Sequence, residues 1–425
     1  MKKYIILLIL CFGILNLSFA EEKDGAEPEE LSWWDEESED EESDEDKGAL
    51  RIKDRSFEAG FSAFVGFDNN FLSAKQVLQD HVVIDIDELK DGFRFNLNML
   101  VSPFFFNYNY KDKWGFGLST AVQATGIIGL SGNMLTFSKA DKEKSEIGGA
   151  AFVEIGAPVF FYINKFKIKV KPSVFYPLMY VDAAESDISY TYKNVNNETH
   201  TDISYKMRVY TAMSLEEGAA FELTASPGVD FHVGAEYPLA KVLGLTDILP
   251  FLDFDVGVDL INIPMVPGAL KNYMEMSGNF GASGSDILDP EYDLSTLLVT
   301  EDPVHDTGKV NVFRPFKFLA HADWRPLGGS RLLTVIPVVG FAINPLYLEP
   351  FTMEAVLKGR LDLFNIFKVT VGTGFEDRLW RNSLDIALNL RAFEIDLGID
   401  MRSADYDKSW QGAGLGVSIG LIFGW

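Results

Sequence analysis

The chain has 425 residues, is 47% hydrophobic and 13% aromatic, and carries a formal net charge of −26. That acidity excludes a nucleic-acid-binding role, which requires a basic patch. Beyond the first twenty residues no continuous apolar run approaches the roughly 20 residues that a spanning helix requires. The nearest, Leu332 to Ile343, is short and broken by Pro337.

Residues 1–20 read as a targeting segment, with Lys2 and Lys3, an apolar stretch from Tyr4 to Leu17, and a Ser18-Phe19-Ala20 cleavage site. The one cysteine, Cys11, lies inside that stretch behind Leu10, where lipid modification would need a small residue. The exported chain is therefore expected to lack cysteines and disulfides. From Glu21 to Asp46 there are 16 Asp or Glu against one Lys. Such a segment repels itself and has too little apolar surface to offset the entropy of ordering, so 21–56 is expected to be a disordered acidic leader. It serves either as a solvated spacer or as a partner- or metal-collecting tail, with Trp33-Trp34 its one apolar point.

At Phe57 the pattern becomes period-two alternation. Phe57, Ala59, Phe61, Ala63, Val65 and Phe67 fall on one face, with Glu58, Gly60 and Ser62 on the other. Phe71 to Asp80 reads as a short helix with a Ser73/Gln76 capping box. Phe93 to Tyr110 is a long strand whose apolar phase changes at Ser102-Pro103, as at a bulge. Further strands are expected near 114–125, 146–162, 166–181, 203–213, 217–226, 229–237 and 251–262. After a long loop they resume near 313–325, 331–343, 351–362, 367–376, 383–391, 393–402 and 412–425. In the last of these, Leu415, Val417, Ile419, Leu421, Phe423 and Trp425 alternate with small residues except at Ile422, and no charge intervenes.

The spacing predicts an all-β fold, a transmembrane antiparallel β-barrel of about 14–16 strands over 57–425. With both termini inside, the connections 403–411, 377–382, 344–350, 263–312, 182–202, 126–145 and 68–92 are outer. Those at 391–392, 363–366, 326–330, 238–250, 214–216, 163–165 and 111–113 are inner and mostly short, as in outer-membrane barrels. The count is sixteen, or fourteen if 203–237 holds one hairpin fewer. A soluble β-sandwich would need neither this loop asymmetry nor aromatics at strand ends.

The phase opposite the apolar one lines the lumen. Its candidates are Glu394, Asp396, Asp400 and Arg402 near the C-terminus, and Asp253, Asp255 and Asp259 upstream. Lys165, Lys167, Lys169 and Lys171 would form a cationic strip near the inner mouth, about 6.8 Å apart at twice the strand rise. That strip either attracts anionic solutes or is neutralised by neighbouring carboxylates. The stretch 68–92, with Phe71, Leu72, Val77 and Leu78, is a candidate plug or a packed outer loop. No nucleotide-binding, nucleophile or metal motif is present, and the five His are scattered, so neither an enzyme nor a cofactor or metal is expected.

The signal segment, the alternating strands and the terminal Gly-Leu-Ile-Phe-Gly-Trp resemble outer-membrane barrel proteins of diderm bacteria over about 57–425. The resemblance implies that Phe423 and Trp425 form the sorting signal for the barrel-assembly machinery. It also implies outer-membrane lipid around the barrel and a periplasmic leader. In size, strand number and apolar loop the chain is similar to the long-chain fatty-acid transporter type. That type carries its hatch before the first strand with an Asn-Pro-Ala-like motif, which this chain lacks. The expected function is an outer-membrane channel or facilitated-diffusion transporter for small solutes, hydrophobic or anionic. The alternative is a surface adhesion or interaction protein anchored by its barrel.

Overall fold

The computed structural model describes residues 55–70, 90, 92–110, 113–136, 143–195, 198–213, 224–283, 298–301, 303–328 and 330–425. The targeting segment, the acidic leader except for Arg55 and Ser56, and the plug candidates Phe71, Leu72, Val77 and Leu78 lie outside them. Among the described residues no helix is long and apolar enough to cross a membrane.

Twenty strand segments follow in order. They are β1 (Phe57–Asn69), β2 (Phe93–Tyr110), β3 (Trp114–Leu130), β4 (Glu143–Gly156), β5 (Val159–Ile163), β6 (Phe166–Val181), β7 (Asp187–Val195), β8 (Glu198–Thr211), β9 (Gly228–Tyr237) and β10 (Asp253–Val266). Then come β11 (Gly268–Ser283), β12 (Leu298–Thr300), β13 (Val304–Val312), β14 (Phe316–Arg325), β15 (Leu333–Ile343), β16 (Phe351–Leu363), β17 (Phe367–Glu376), β18 (Leu379–Asn389), β19 (Phe393–Ser403) and β20 (Leu415–Gly424).

Every pairing is antiparallel, and β1 pairs with both β2 and β20, so the sheet closes on itself. Several segments run end to end along one neighbour. β3 pairs with β4 and then β5, and β4 with β6 and then β7. In turn, β6 pairs with β9 and then β8. The same holds for β10 followed by β11, and for β12, β13 and β14. Among the described residues, twenty segments joined at six places make fourteen passes.

The lower count arises where 203–237 reads ambiguously. Pro227-Gly228 is no outer turn, and the expected inner turn 214–216 lies outside the described residues. Segments β8 and β9 are two parts of one descending pass, because both lie antiparallel to the same β6. Nor are the described residues of 263–312 a loop. Leu260 to Val266 completes β10, Pro267 only breaks the ladder, and β11 to β13 carry the wall onward. Proline lacks the donor that a continuous ladder uses, which makes one long pass look like two short ones.

Passes β15 to β20 have 10–13 residues each, about what a tilted strand needs to cross a membrane. The pass formed by β10 and β11 runs from Asp253 to Ser283, so that side of the barrel projects well beyond the outer rim. The phase change at Ser102-Pro103 is a bulge: the β1 register slips between Gly60 and Ser62, and the β3 register between Val101 and Phe105. Thr120 fills the gap, its hydroxyl donating to the Phe104 carbonyl at 2.7 Å while its own carbonyl accepts from the Ser102 hydroxyl at 2.7 Å.

The outward phase is apolar and open. Val417 is 53% exposed, Leu397 54% and Met353 63%, as a lipid-facing belt requires. Tyr110, Trp114 and Phe116 stack in sequence at the inner rim. At the seam the Trp425 carbonyl accepts from the Ser56 and Phe57 amides at 2.8 and 3.1 Å, and its ring stacks on Phe57 at 4.6 Å. Phe423 lies outward beside Phe393. The last residues therefore close the barrel against its first strand. Arg55 pins that strand from inside, donating to the Arg391 carbonyl, Glu394 and Asn389.

Candidate functional site

At the inner end the lumen opens into a cavity of about 840 Å³ whose lining includes Arg55, Lys167, Lys169, Lys171, Lys368 and Glu394. Lys167, Lys169 and Lys171 stand on one face of β6 because alternate residues of a strand share a face. They do not repel, since Lys167 and Lys169 converge on Glu236 of β9, and Lys171 reaches Glu154 at 2.6 Å. Lys165 sits in the β5–β6 turn beside Asn164 instead of on the wall, exposed at the rim.

The carboxylates expected in the lumen also have partners. Arg325 bonds Asp255 and lies 3.3 Å from Asp253, while Asp259 sits between His232 at 3.0 Å and His321 at 3.5 Å. Glu394 holds Arg55 at 3.1 Å and Lys368 at 3.7 Å. Asp400 takes Arg402 at 2.7 Å and Arg381 at 3.0 Å, and Arg402 lies over the Phe64 ring. Asp396 faces Gly420, where an added Cβ would crowd its side chain at 3.2 Å. In a low-dielectric wall an unpaired charge costs several kcal/mol, so alternating signs across neighbouring strands are the stable arrangement.

Deeper in, sequence reasoning missed the tightest cluster. Arg314, between Phe313 and Pro315, donates to Asp230 through two nitrogens at 2.6 and 2.7 Å and also bonds Glu154. Arg314 and Asp230 are almost fully buried. Arg314 stands beside an expected loop, and only the pairing of β10 with both β9 and β14 carries Asp230 to it. A second cation, Lys317, is caged by Glu354 at 2.9 Å, Asp377 at 3.1 Å and Glu376 at 3.5 Å.

Toward the outer end the same lumen face turns apolar. Phe152 lies two residues before Glu154 on β4, and Phe175 two residues after Ser173 on β6, whose hydroxyl donates to Glu154. These join Tyr210, Leu270, Val312 and Leu346 in one buried cluster. Leu346 is the informative member, because it comes from the β15–β16 connection, 344–350.

That connection reaches across the barrel. The Leu348 amide donates to Glu146 on β4 at 3.1 Å. Gly148 admits it, since a side chain there would strike the Leu346 carbonyl. Tyr347 lies under the guanidinium groups of Arg94 and Arg378, 5.9 and 5.0 Å from its ring centre, and burial pushes its phenol well above the usual tyrosine range. Arg378 also pairs with Glu349 at 3.1 Å. The neck is closed by the Asn344 amide donating to the Pro350 carbonyl at 2.7 Å, and the Asn344 side chain accepts from the Leu346 amide at 3.1 Å. The described lid is thus 344–350, which the spacing marked only as an outer connection.

No known family profile matches the chain, and no curated protein does. Several solved barrels are similar in fold. The toluene transporter TodX of P. putida is 7% identical, with a TM-score of 0.47 over 88% of this chain and 91% of its own. The monoaromatic hydrocarbon channel CymD is 8% identical, with a TM-score of 0.40 over 87% and 89%. The translocator domain of the autotransporter NalP from Neisseria meningitidis is 6% identical, with a TM-score of 0.33 over 88% and 90%.

Proposed function

We propose that this outer-membrane barrel is a gated channel that carries small solutes by facilitated diffusion, favouring hydrophobic ones that bear an anionic group. The observation that carries the proposal is the order of surfaces along the lumen. A solute entering from the outer side meets Leu346 and the apolar cluster of Phe152 and Phe175 first. It then meets Lys171, Lys169 and Lys167 at the inner cavity. An apolar constriction excludes hydrated ions and sugars, because they would shed water without gaining hydrogen bonds. The lysines beyond it supply a partner for a carboxylate, exchanging one counterion for another at low net cost.

In liposomes, benzoate is expected to enter severalfold faster than glycerol or glucose. Lys167→Gln with Lys169→Gln should slow benzoate several-fold and leave uptake of an uncharged aromatic such as toluene unchanged. Equal permeation by all four solutes would point to an open, non-selective pore and sink this reading.

One observation favours a second reading, that of a surface interaction protein. The wall formed by β7, β8 and β11 to β13 rises far above the rim, which a pore alone does not need. Shortening the β7–β8 hairpin should then abolish binding to cells or surfaces while benzoate uptake persists. Loss of neither property would remove the interaction role.

A further inference from the structure

The inner connection between β9 and β10 is unlike the other inner turns. It runs from Pro238 to Leu252 and folds into two short helices, Leu239–Val242 and Leu245–Ile248, with a 3-10 turn at Pro250–Leu252. Gly244, at φ +66°, makes the bend between the helices. Ala240 is fully buried and ties the segment to the barrel. Its large apolar side chains nevertheless point away from the protein. Ile248 is 73% exposed, Leu243 59% and Phe251 49%, with Leu327 of the neighbouring turn also open. A water-soluble turn would not present four such groups together.

The side of the barrel on which they lie is set by one hydrogen bond. On β14 the lumen phase is Lys317, His321, Asp323 and Arg325, so Trp324 faces outward. The Trp324 indole donates to the Phe251 carbonyl at 2.7 Å. Phe251 is therefore held on the lipid-facing side of the inner rim, continuous with the apolar belt that Val258 and Trp324 begin. Lys241 and Asp247 are exposed on the same short segment.

We propose that residues 239–252 form a foot lying in the interface of the leaflet at the Trp425 end. Leu243, Ile248 and Phe251 rest among the acyl chains, and Lys241 sits at the phosphates of the phospholipids. This geometry is that of an interfacial amphipathic segment, bound by apolar burial and by attraction to anionic headgroups. It is independent of what the channel carries.

Single nitroxide labels at positions 241, 243, 247, 248 and 251 test it, each introduced by substitution to Cys in a Cys11→Ala background. The full barrel would be reconstituted in phosphatidylethanolamine–phosphatidylglycerol vesicles, and folding checked by heat-modifiable migration on gels. Labels replacing Leu243, Ile248 and Phe251 are expected to collide readily with oxygen and poorly with a water-soluble nickel chelate. Those replacing Lys241 and Asp247 should do the reverse. Three labelled apolar positions keep the test valid if one substitution prevents folding. Nickel accessibility at 248 equal to that at 247 would overturn the foot, as would shielding of 243, 248 and 251 from both reagents, the mark of a protein partner.

Discussion

Replacing Leu346 by Ala opens the barrel: a protein that is silent in planar bilayers becomes one with resolvable ion-current steps. Leu346 is 1% exposed and is the only contribution of the 344–350 connection to the apolar cluster. Truncating a buried Leu to Ala costs about 2–5 kcal/mol, depending on how far the site collapses. Here that energy belongs to the closed state alone, since an open lid has already lost the contact. The closed-to-open ratio should therefore fall by a factor of roughly 30 or more, at about 1.4 kcal/mol per decade.

Gly148→Val gives the same outcome from the opposite wall, because its side chain would occupy the place of the Leu346 carbonyl. Excising Leu346 to Leu348 also removes the Tyr347 stack with Arg94 and Arg378 and the Leu348 bond to Glu146, and should give the largest current. If all three variants fold and stay silent, the seal lies in Phe152, Phe175 and their neighbours without help from the lid.

Arg314→Met strongly destabilises the barrel, by about 3–5 kcal/mol, because it leaves two carboxylates buried with less than their compensating charge. Among the described residues Asp230 has no other cationic partner, and Glu154 keeps only Lys171. The guanidinium also lies over Phe175 at 5.2 Å, so the junction between polar and apolar lumen loosens as well. Urea titration of the refolded barrel in detergent, followed by tryptophan emission, measures the loss. Adding Glu154→Gln and Asp230→Asn to Arg314→Met should restore most of it. A buried ion cluster replaced by neutral groups of similar size is often close to neutral in stability. If the triple variant is as weak as the single one, the cluster stabilises by shape and hydrogen bonding more than by charge.

Period-two alternation is a local property, and the barrel wall was legible from it. Phe57 to Phe67, Phe393 to Met401 and Leu415 to Trp425 each face one way because the strand pleat leaves no other choice. The same alternation placed Lys167, Lys169 and Lys171 on one lumen face, and Glu394, Asp400 and Arg402 on another. It could not count the passes through β8 to β13. Pro227, Pro267 and Pro315 interrupt single long passes with the residues that usually end strands, and only the pairing of β6 with both β8 and β9 shows continuity.

By itself the sequence determined that the chain closes into an antiparallel barrel in lipid, which strand ends share a rim with Trp425, and which residue phase is wet. Each of these follows from spacing along one strand and from the high cost of charge in hydrocarbon. The tertiary structure decided which charges meet and what shuts the lumen. Glu154 and Asp230 come from two strands and Arg314 from the link between β13 and β14, each separated from the next by scores of residues, and their register is set by the closure of the whole ring. Tyr347 and Leu346 belong to a seven-residue connection with no periodic pattern. What makes it a lid is the distance to Gly148 on the far wall, a quantity that exists only once the barrel has closed.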